Sequence, residues 1–133
     1  MARYVVDCGV VLRLAKDEVP APPQHALLAP TLLRSQTLSA LHEQVHAGKL
    51  SAEKARAQLT RINQMPIRLL GDAVLRRRAW EIADELGWPE TFAAEYVALT
   101  QLQGDALVTL DAKLAKQLKG VVEVATFDEL VKG

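Results

Sequence analysis

The sequence predicts an α/β fold, a three-layer α/β/α sandwich around a parallel sheet, and three observations carry that expectation. Apolar runs of strand length alternate with longer segments of helical spacing from one end of the chain to the other. Glycine, proline and small polar cap residues fall at most of the boundaries between them. Two of the apolar runs end in aspartate, Arg3-Tyr4-Val5-Val6-Asp7 and Ala106-Leu107-Val108-Thr109-Leu110-Asp111. A buried parallel strand delivers the residues after it to the carboxyl edge of its sheet, where open α/β folds keep their ligand sites.

The elements come in a regular order. Val10 to Ala15 has helix-compatible apolar spacing and ends near Lys16-Asp17-Glu18, before the break Pro20-Ala21-Pro22-Pro23. His25 to Ala29 is short enough for a second buried strand, and Pro30 suits the first turn of a helix running to about Ala47, stopped by Gly48. Leu33, Leu38, Leu41 and Val45 form its expected apolar stripe. Ser51 is placed to cap a helix to about Gln64, and Pro66 precedes the strand Ile67 to Leu70. Asp72 caps the next helix, which Gly87 ends.

Between Pro89 and Gly104, the residues Phe92, Tyr96, Val97, Leu99 and Leu102 describe a mostly buried helix. Ala106 to Thr109 is the strand it feeds. A short helix from Ala112 to Leu118 stops at Gly120, Val121 to Val124 is a last strand, and Phe127 to Val131 is a terminal helical turn or two. This alternation implies parallel strands joined by right-handed crossovers.

With 133 residues and 50% hydrophobic composition, the chain suits one core, and residues 1–133 are read as a single domain. Sixteen basic and sixteen acidic residues cancel, so no global field draws it toward nucleic acid or an anionic membrane. Its lone cysteine, Cys8, excludes an intramolecular disulfide and fits a reducing, cytoplasmic setting. No apolar run approaches the roughly 18 residues of a membrane span, so no membrane partner is expected.

Several chemistries lack their motifs. There is no GxGxxG or GxxxxGK[ST] phosphate loop and no GxSxG elbow, and Cys8 has no histidine near it in sequence. His42 and His46 stand at i, i+4 without the HExxH pattern, so they read as helix surface, as His25 reads as the start of a strand. What remains is the pair Asp7 and Asp111, two carboxylates delivered to a sheet edge, an arrangement that invites a hard cation.

The Asp7 strand, the helix start Pro30-Thr31-Leu32-Leu33-Arg34-Ser35-Gln36-Thr37-Leu38-Ser39-Ala40-Leu41, the stretch Phe92-Ala93-Ala94-Glu95-Tyr96-Val97-Ala98-Leu99 and Leu107-Val108-Thr109-Leu110-Asp111 fall in one order. That order resembles the PIN domain over nearly the whole chain, in particular the small VapC-type toxins of prokaryotic toxin–antitoxin pairs. The resemblance implies a PIN-like fold and a Mg²⁺- or Mn²⁺-dependent endoribonuclease that cleaves RNA phosphodiester bonds with about four clustered acids. It also implies a homodimer and an antitoxin protein whose amphipathic segment lies in a groove near the acidic site.

Asp7 and Asp111 match the first and last acids of that pattern, and Thr109 matches as well. Gln36 stands where the pattern places Glu, Ala93 where it places Asp, and Gly9 where a hydroxyl or amide side chain often follows the first Asp. The resemblance therefore names Asp7, Asp111, Gln36 and Thr109 as catalytic positions, with Asp7 and Asp111 as metal ligands. Glu90, expected in the first turn of its helix and one turn before Ala93, is the one neighbouring acid placed to substitute as a ligand. Glu95 lies about 200° around the helix from Ala93, and Glu43 about 10 Å from Gln36 along its axis.

Cleavage with two divalent ions needs anionic oxygens to hold cations about 4 Å apart. Gln36 keeps a carbonyl without charge and Ala93 offers nothing, so activity is expected to be weakened or lost. The alternative is a degenerate PIN module that binds antitoxin or RNA without cutting it. A third, an unrelated phosphate-binding or receiver-like α/β domain, would share the strand-end Asp7 but lacks the acidic pair a receiver needs. For RNA, Arg76-Arg77-Arg78 with Arg56, Arg61 and Arg68 is the densest basic region. Trp80 and Trp88 are candidates for base stacking or a partner, and the spacing of Trp80 from Ile82 and Leu86 favours core or interface.

Overall fold

A computed structural model describes residues 1–132. Five parallel strands form one sheet in the order β3-β2-β1-β4-β5: β1 Arg3–Val6, β2 Ala26–Pro30, β3 Ile67–Leu70, β4 Ala106–Val108 and β5 Val124–Ala125. Among the described residues six helices lie between the strands and a seventh follows the last: α1 Cys8–Lys16, α2 Leu32–His46, α3 Ala52–Gln64, α4 Ala73–Leu86, α5 Phe92–Gln103, α6 Ala112–Gln117 and α7 Phe127–Lys132. The expected α/β/α sandwich is observed. Val5, Val6, Leu107 and Val108 in the central strands are wholly buried, as strands covered on both faces must be.

The helices divide into two packed sets, α1 with α2 and α3, and α4 with α5, the latter also lying on β1, β2 and β4. Local chemistry sets their limits. Asp7, Ser51, Asp72 and Asp111 each accept a backbone N–H in the first turn of the helix they precede, contributing about 1 kcal/mol apiece. Gly87 ends α4 in the left-handed conformation at φ 70°. Arg61 of α3 donates from Nη1 to the Ala15 carbonyl at 3.0 Å and pairs with Glu18 at 3.2 Å, adding a side-chain donor to a carbonyl at the end of α1 that also accepts the Glu18 amide at 3.4 Å. Gly104 stops α5 where the chain passes β1, since a Cβ there would lie 2.9 Å from Val5 Cγ2.

Some boundaries depart from the sequence reading. Pro30 ends β2 rather than opening α2: its lack of an N–H is harmless at the end of a strand, and Thr31 precedes the helix. In α2, Leu33 and Leu41 are buried and Val45 partly so, but Leu38 is 55% exposed; Thr37 takes the inward position and satisfies its hydroxyl on the Leu33 carbonyl at 2.9 Å. In α5, Phe92 and Leu102 lie toward solvent at the two ends. The last strand is Val124–Ala125, not Val121–Val124, because the Val121 and Val122 amides turn back onto the Leu118 carbonyl after Gly120, at φ 80°. Trp80 is exposed rather than core, and His42 and His46 are exposed as expected.

The chain runs from β1 outward through β2 to β3, and β4 then returns to the other side of β1. The strand order therefore reverses between β1 and β4. A crevice opens at such a reversal beyond the carboxyl ends of the two strands. Asp7 follows β1 directly, and Thr109 follows β4.

Candidate functional site

Asp7 is the N-cap of α1, its Oδ1 accepting the Val10 amide at 3.1 Å. Burial pushes its carboxyl pKa above the usual carboxylate value; hydrogen bonds from the Thr109 hydroxyl and the Val10 amide oppose the rise, and the charge of Asp111 adds to it. Thr109 connects the two aspartates, because its Oγ1 also accepts the Asp111 amide at 3.1 Å. Asp111 itself sits outside, exposed, with Oδ1 accepting the amides of Lys113 at 3.0 Å and Leu114 at 3.1 Å. Both strand-end aspartates thus spend an oxygen on a helix terminus.

A cleft of about 380 Å³ is lined by Asp7, Cys8, Gly9, Gln36, Glu90, Phe92, Ala93 and Tyr96, closed beneath by Leu107 and Leu114. The structure therefore brings Asp7, Gln36, Ala93 and Glu90 together, residues up to 86 positions apart in sequence. Asp111 borders a separate, open hollow of about 890 Å³ between α6 and α7. Glu90 precedes the Thr91 N-cap of α5, so it stands before the first turn in which the sequence placed it, and it reaches the cleft from the loop. Glu95 is not among the lining residues, as its helical angle required, and lies near Arg76.

Two lining residues were not read as functional from the sequence. Tyr96 of α5 donates its hydroxyl to Gln36 Oε1 of α2 at 2.6 Å, and burial raises the phenol pKa far above its usual value. A tyrosine among the apolar residues of a buried helix was the available signal, because a buried phenol needs a partner. Cys8 sits half-buried beside Asp7, and desolvation, with the Asp7 charge second, pushes its thiol up to about 11. A raised thiol pKa lowers its thiolate fraction and with it its reactivity as a nucleophile.

The donor set does not fit two divalent ions. Among the described residues, no three His, Cys, Asp or Glu side chains gather in a group able to hold a metal. Ala93 brings no side-chain oxygen, Gln36 offers an uncharged oxygen that already accepts from Tyr96, and Asp111 caps its own helix. At Gly9 an added Cβ would stand 3.7 Å from Asp7 Oδ1, in ordinary contact, so the absent side chain leaves that approach to Asp7 open. A raised carboxyl pKa at Asp7 is the signature of a buried acid whose surroundings supply no compensating positive charge.

The basic triplet is only partly available. Arg78 is engaged by Glu81 at 3.2 Å, Glu85 at 3.3 Å and Gln101 at 2.8 Å, while Arg76 and Arg77 are exposed. No helix among the described residues is long and apolar enough to cross a membrane.

Solved structures share this fold. The protein PAE2754 from Pyrobaculum aerophilum aligns with 98% of this chain and 93% of its own at 22% identity and a TM-score of 0.76. A toxin–antitoxin complex from Klebsiella pneumoniae (17% identity, 93% and 97% covered, TM-score 0.56) contains a chain that superposes similarly. So does VapBC2 from Rickettsia felis, solved bound to a DNA fragment from its promoter (12% identity, 93% and 98% covered, TM-score 0.58). The fold is PIN-like. No protein-family model matches the sequence, and no curated protein is similar enough in sequence to count as a relative. The PIN-like likeness, at these identities, concerns the backbone; the chemistry of the cleft is set by this chain's own side chains.

Proposed function

We propose that the protein is a VapC-type subunit that binds an antitoxin-like protein and whose PIN-like cleft has lost two-metal RNA cleavage. The observation that carries this reading is the hydrogen bond from Tyr96 to Gln36 Oε1 in the same cleft as Asp7 and Ala93. Where a ribonuclease of this type needs about four clustered acids, this cleft holds Asp7, one carboxamide that already accepts a hydrogen bond, one methyl group and, from the loop before α5, Glu90. Cleavage of single-stranded or structured RNA with Mg²⁺ or Mn²⁺ should not exceed that of Asp7→Asn. Metal-dependent cleavage by the unaltered protein, abolished in Asp7→Asn, would overturn the reading.

The protein partner is supported by the α2–α3 face. Cavities of about 480 Å³ and 190 Å³ adjoin there, sharing Leu38 and Leu59. The charged residues lining them are Arg34 and Arg56, with His42 the one other titratable side chain, and no acid opposes them. An amphipathic, acidic helix fits an apolar floor with such a rim. The same proposal includes a homodimer, for which Trp80, 67% exposed on α4, supplies an unburied aromatic anchor.

The second reading is a weakly active Mg²⁺- or Mn²⁺-dependent endoribonuclease, and one observation favours it. Glu90 lines the cleft with Asp7 and Gln36, so a second carboxylate is present on the side where Ala93 supplies none. Under this reading Glu90→Gln abolishes what cleavage there is. RNA as ligand without cleavage is the remaining variant, resting on the exposed Arg76 and Arg77.

A further inference from the structure

We propose that the Tyr96–Gln36 pair is the specificity-determining element of the cleft, turning it from a site for divalent cations into one that presents a hydrogen-bond donor. The proposal rests on the reading of a lost nuclease site and assigns the loss to two named residues. The Tyr96 hydroxyl, held on a side chain only 4% exposed, donates to Gln36 Oε1 at 2.6 Å. That bond engages one of the two lone pairs of the carboxamide oxygen, the one atom of Gln36 with affinity for a hard cation, so an ion there would have to share it. Among the described residues Gln36 Nε2 has no hydrogen-bond partner, yet it is not among the buried polar atoms left without one. It therefore meets solvent, and the solvent-filled space that Gln36 lines is the cleft.

An N–H₂ group directed there repels a cation that Asp7 would otherwise attract. The phenol hydroxyl is the donor and Oε1 the acceptor in this contact, so Tyr96, itself fixed in the core, holds the carboxamide oxygen toward α5 and leaves Nε2 on the other side. Tyr96 thus acts through Gln36 and is a positioning residue. The two lie on α5 and α2, so the pair also ties the helices of opposite layers across the end of the sheet.

The test is Mn²⁺ titration followed by calorimetry and thermal unfolding, on the unaltered protein and on Tyr96→Phe, Gln36→Glu and the double variant Gln36→Glu/Ala93→Asp. Removing the phenol hydroxyl frees Oε1, and Tyr96→Phe is expected to bind Mn²⁺ about tenfold more tightly than the unaltered protein, the equivalent of about 1.4 kcal/mol. Gln36→Glu keeps Tyr96 as donor to one oxygen and offers the other to the ion, so it should gain affinity without losing stability. This keeps the idea open to refutation even if Tyr96→Phe folds poorly. If the double variant binds Mn²⁺ well while Tyr96→Phe and Gln36→Glu each bind no better than the unaltered protein, the pair does not set selectivity, and the lost-nuclease reading stands without it. If the unaltered protein already binds two Mn²⁺ ions tightly, that reading itself fails and the inference with it.

Discussion

Asp7 and Asp111 are linked through Thr109, whose hydroxyl opposes the rise in the Asp7 pKa and accepts the Asp111 amide at 3.1 Å, yet the two carboxylates serve different helices. Each caps the helix after its strand, Asp7 at Val10 and Asp111 at Lys113 and Leu114. A strand-end aspartate in an α/β fold thus has a structural use independent of any metal, and substitutions at the two positions separate the uses.

Asp7→Asn should stabilise the protein near neutral pH. Asparagine caps a helix about as well as aspartate, so the Val10 bond survives while the buried charge goes. The sign comes from the raised carboxyl pKa. Between the ordinary value of 3.8 and the higher folded value, the folded state holds the proton that the unfolded state has released. Stability contributed by Asp7 therefore falls as pH rises through that window and stays reduced above it. The gain from Asp7→Asn should be absent below pH 3.8, grow as pH rises, and level off; thermal unfolding across pH measures it. A gain that is constant with pH would mean that the Asp7 charge is not what costs stability.

Asp111→Ala should destabilise by about 1 kcal/mol through loss of the α6 cap, and Asp111→Asn should not. Urea unfolding without added metal is the measurement. Equal behaviour of the two variants would remove the capping role. Because the Asp111 charge contributes to the raised Asp7 pKa, Asp111→Asn should also lower the pH at which Asp7 titrates, visible by carboxyl NMR.

Much of the fold was legible because its signals are local. Ser51 and Asp72 as caps, Gly87 as a stop and the period of each segment depend on neighbours within a turn, whereas the capping role of Asp7 at α1 emerges only in the structure. Pro30, Leu38 and Val121 were misread for the opposite reason. Pro30 satisfies the rules for a helix start and for a strand end alike, and the place of β2 in the sheet decides. Leu38 fits the helical stripe, but α3 lies beside α2 without covering it. In the cleft, the resemblance sets Gln36 and Ala93 at positions where its pattern has acids, whereas the Tyr96 bond to Gln36 joins residues 60 apart and exists only once α2 and α5 meet.

The Cys8 thiol should resist alkylation. With its pKa pushed up to about 11, the thiolate fraction at pH 8 is far below that of an unperturbed thiol. The higher intrinsic nucleophilicity of a more basic thiolate offsets part of this, leaving a reaction with iodoacetamide roughly tenfold slower than that of a free cysteine, before any effect of burial. Asp7→Asn should quicken it modestly, since the Asp7 charge is the smaller cause and desolvation the larger. Rapid modification of the folded protein at pH 8 would show that the thiol is neither buried nor perturbed.

Leu38→Glu should abolish binding of the protein partner while leaving the fold intact. Leu38 is 55% exposed, so a carboxylate there remains solvated, and the change in unfolding free energy should stay within about 0.5 kcal/mol. On the groove the same change places a charge where the two cavities meet, beside Leu59, and sets it against the acidic face expected of the partner. Co-purification with the product of a neighbouring reading frame encoding a small DNA-binding protein tests this directly. Arg34→Glu and Arg56→Glu should each weaken the complex and make it less sensitive to salt, because the rim charges act through long-range attraction. A complex unaffected by all three variants would place the partner elsewhere and leave the α2–α3 face without an occupant.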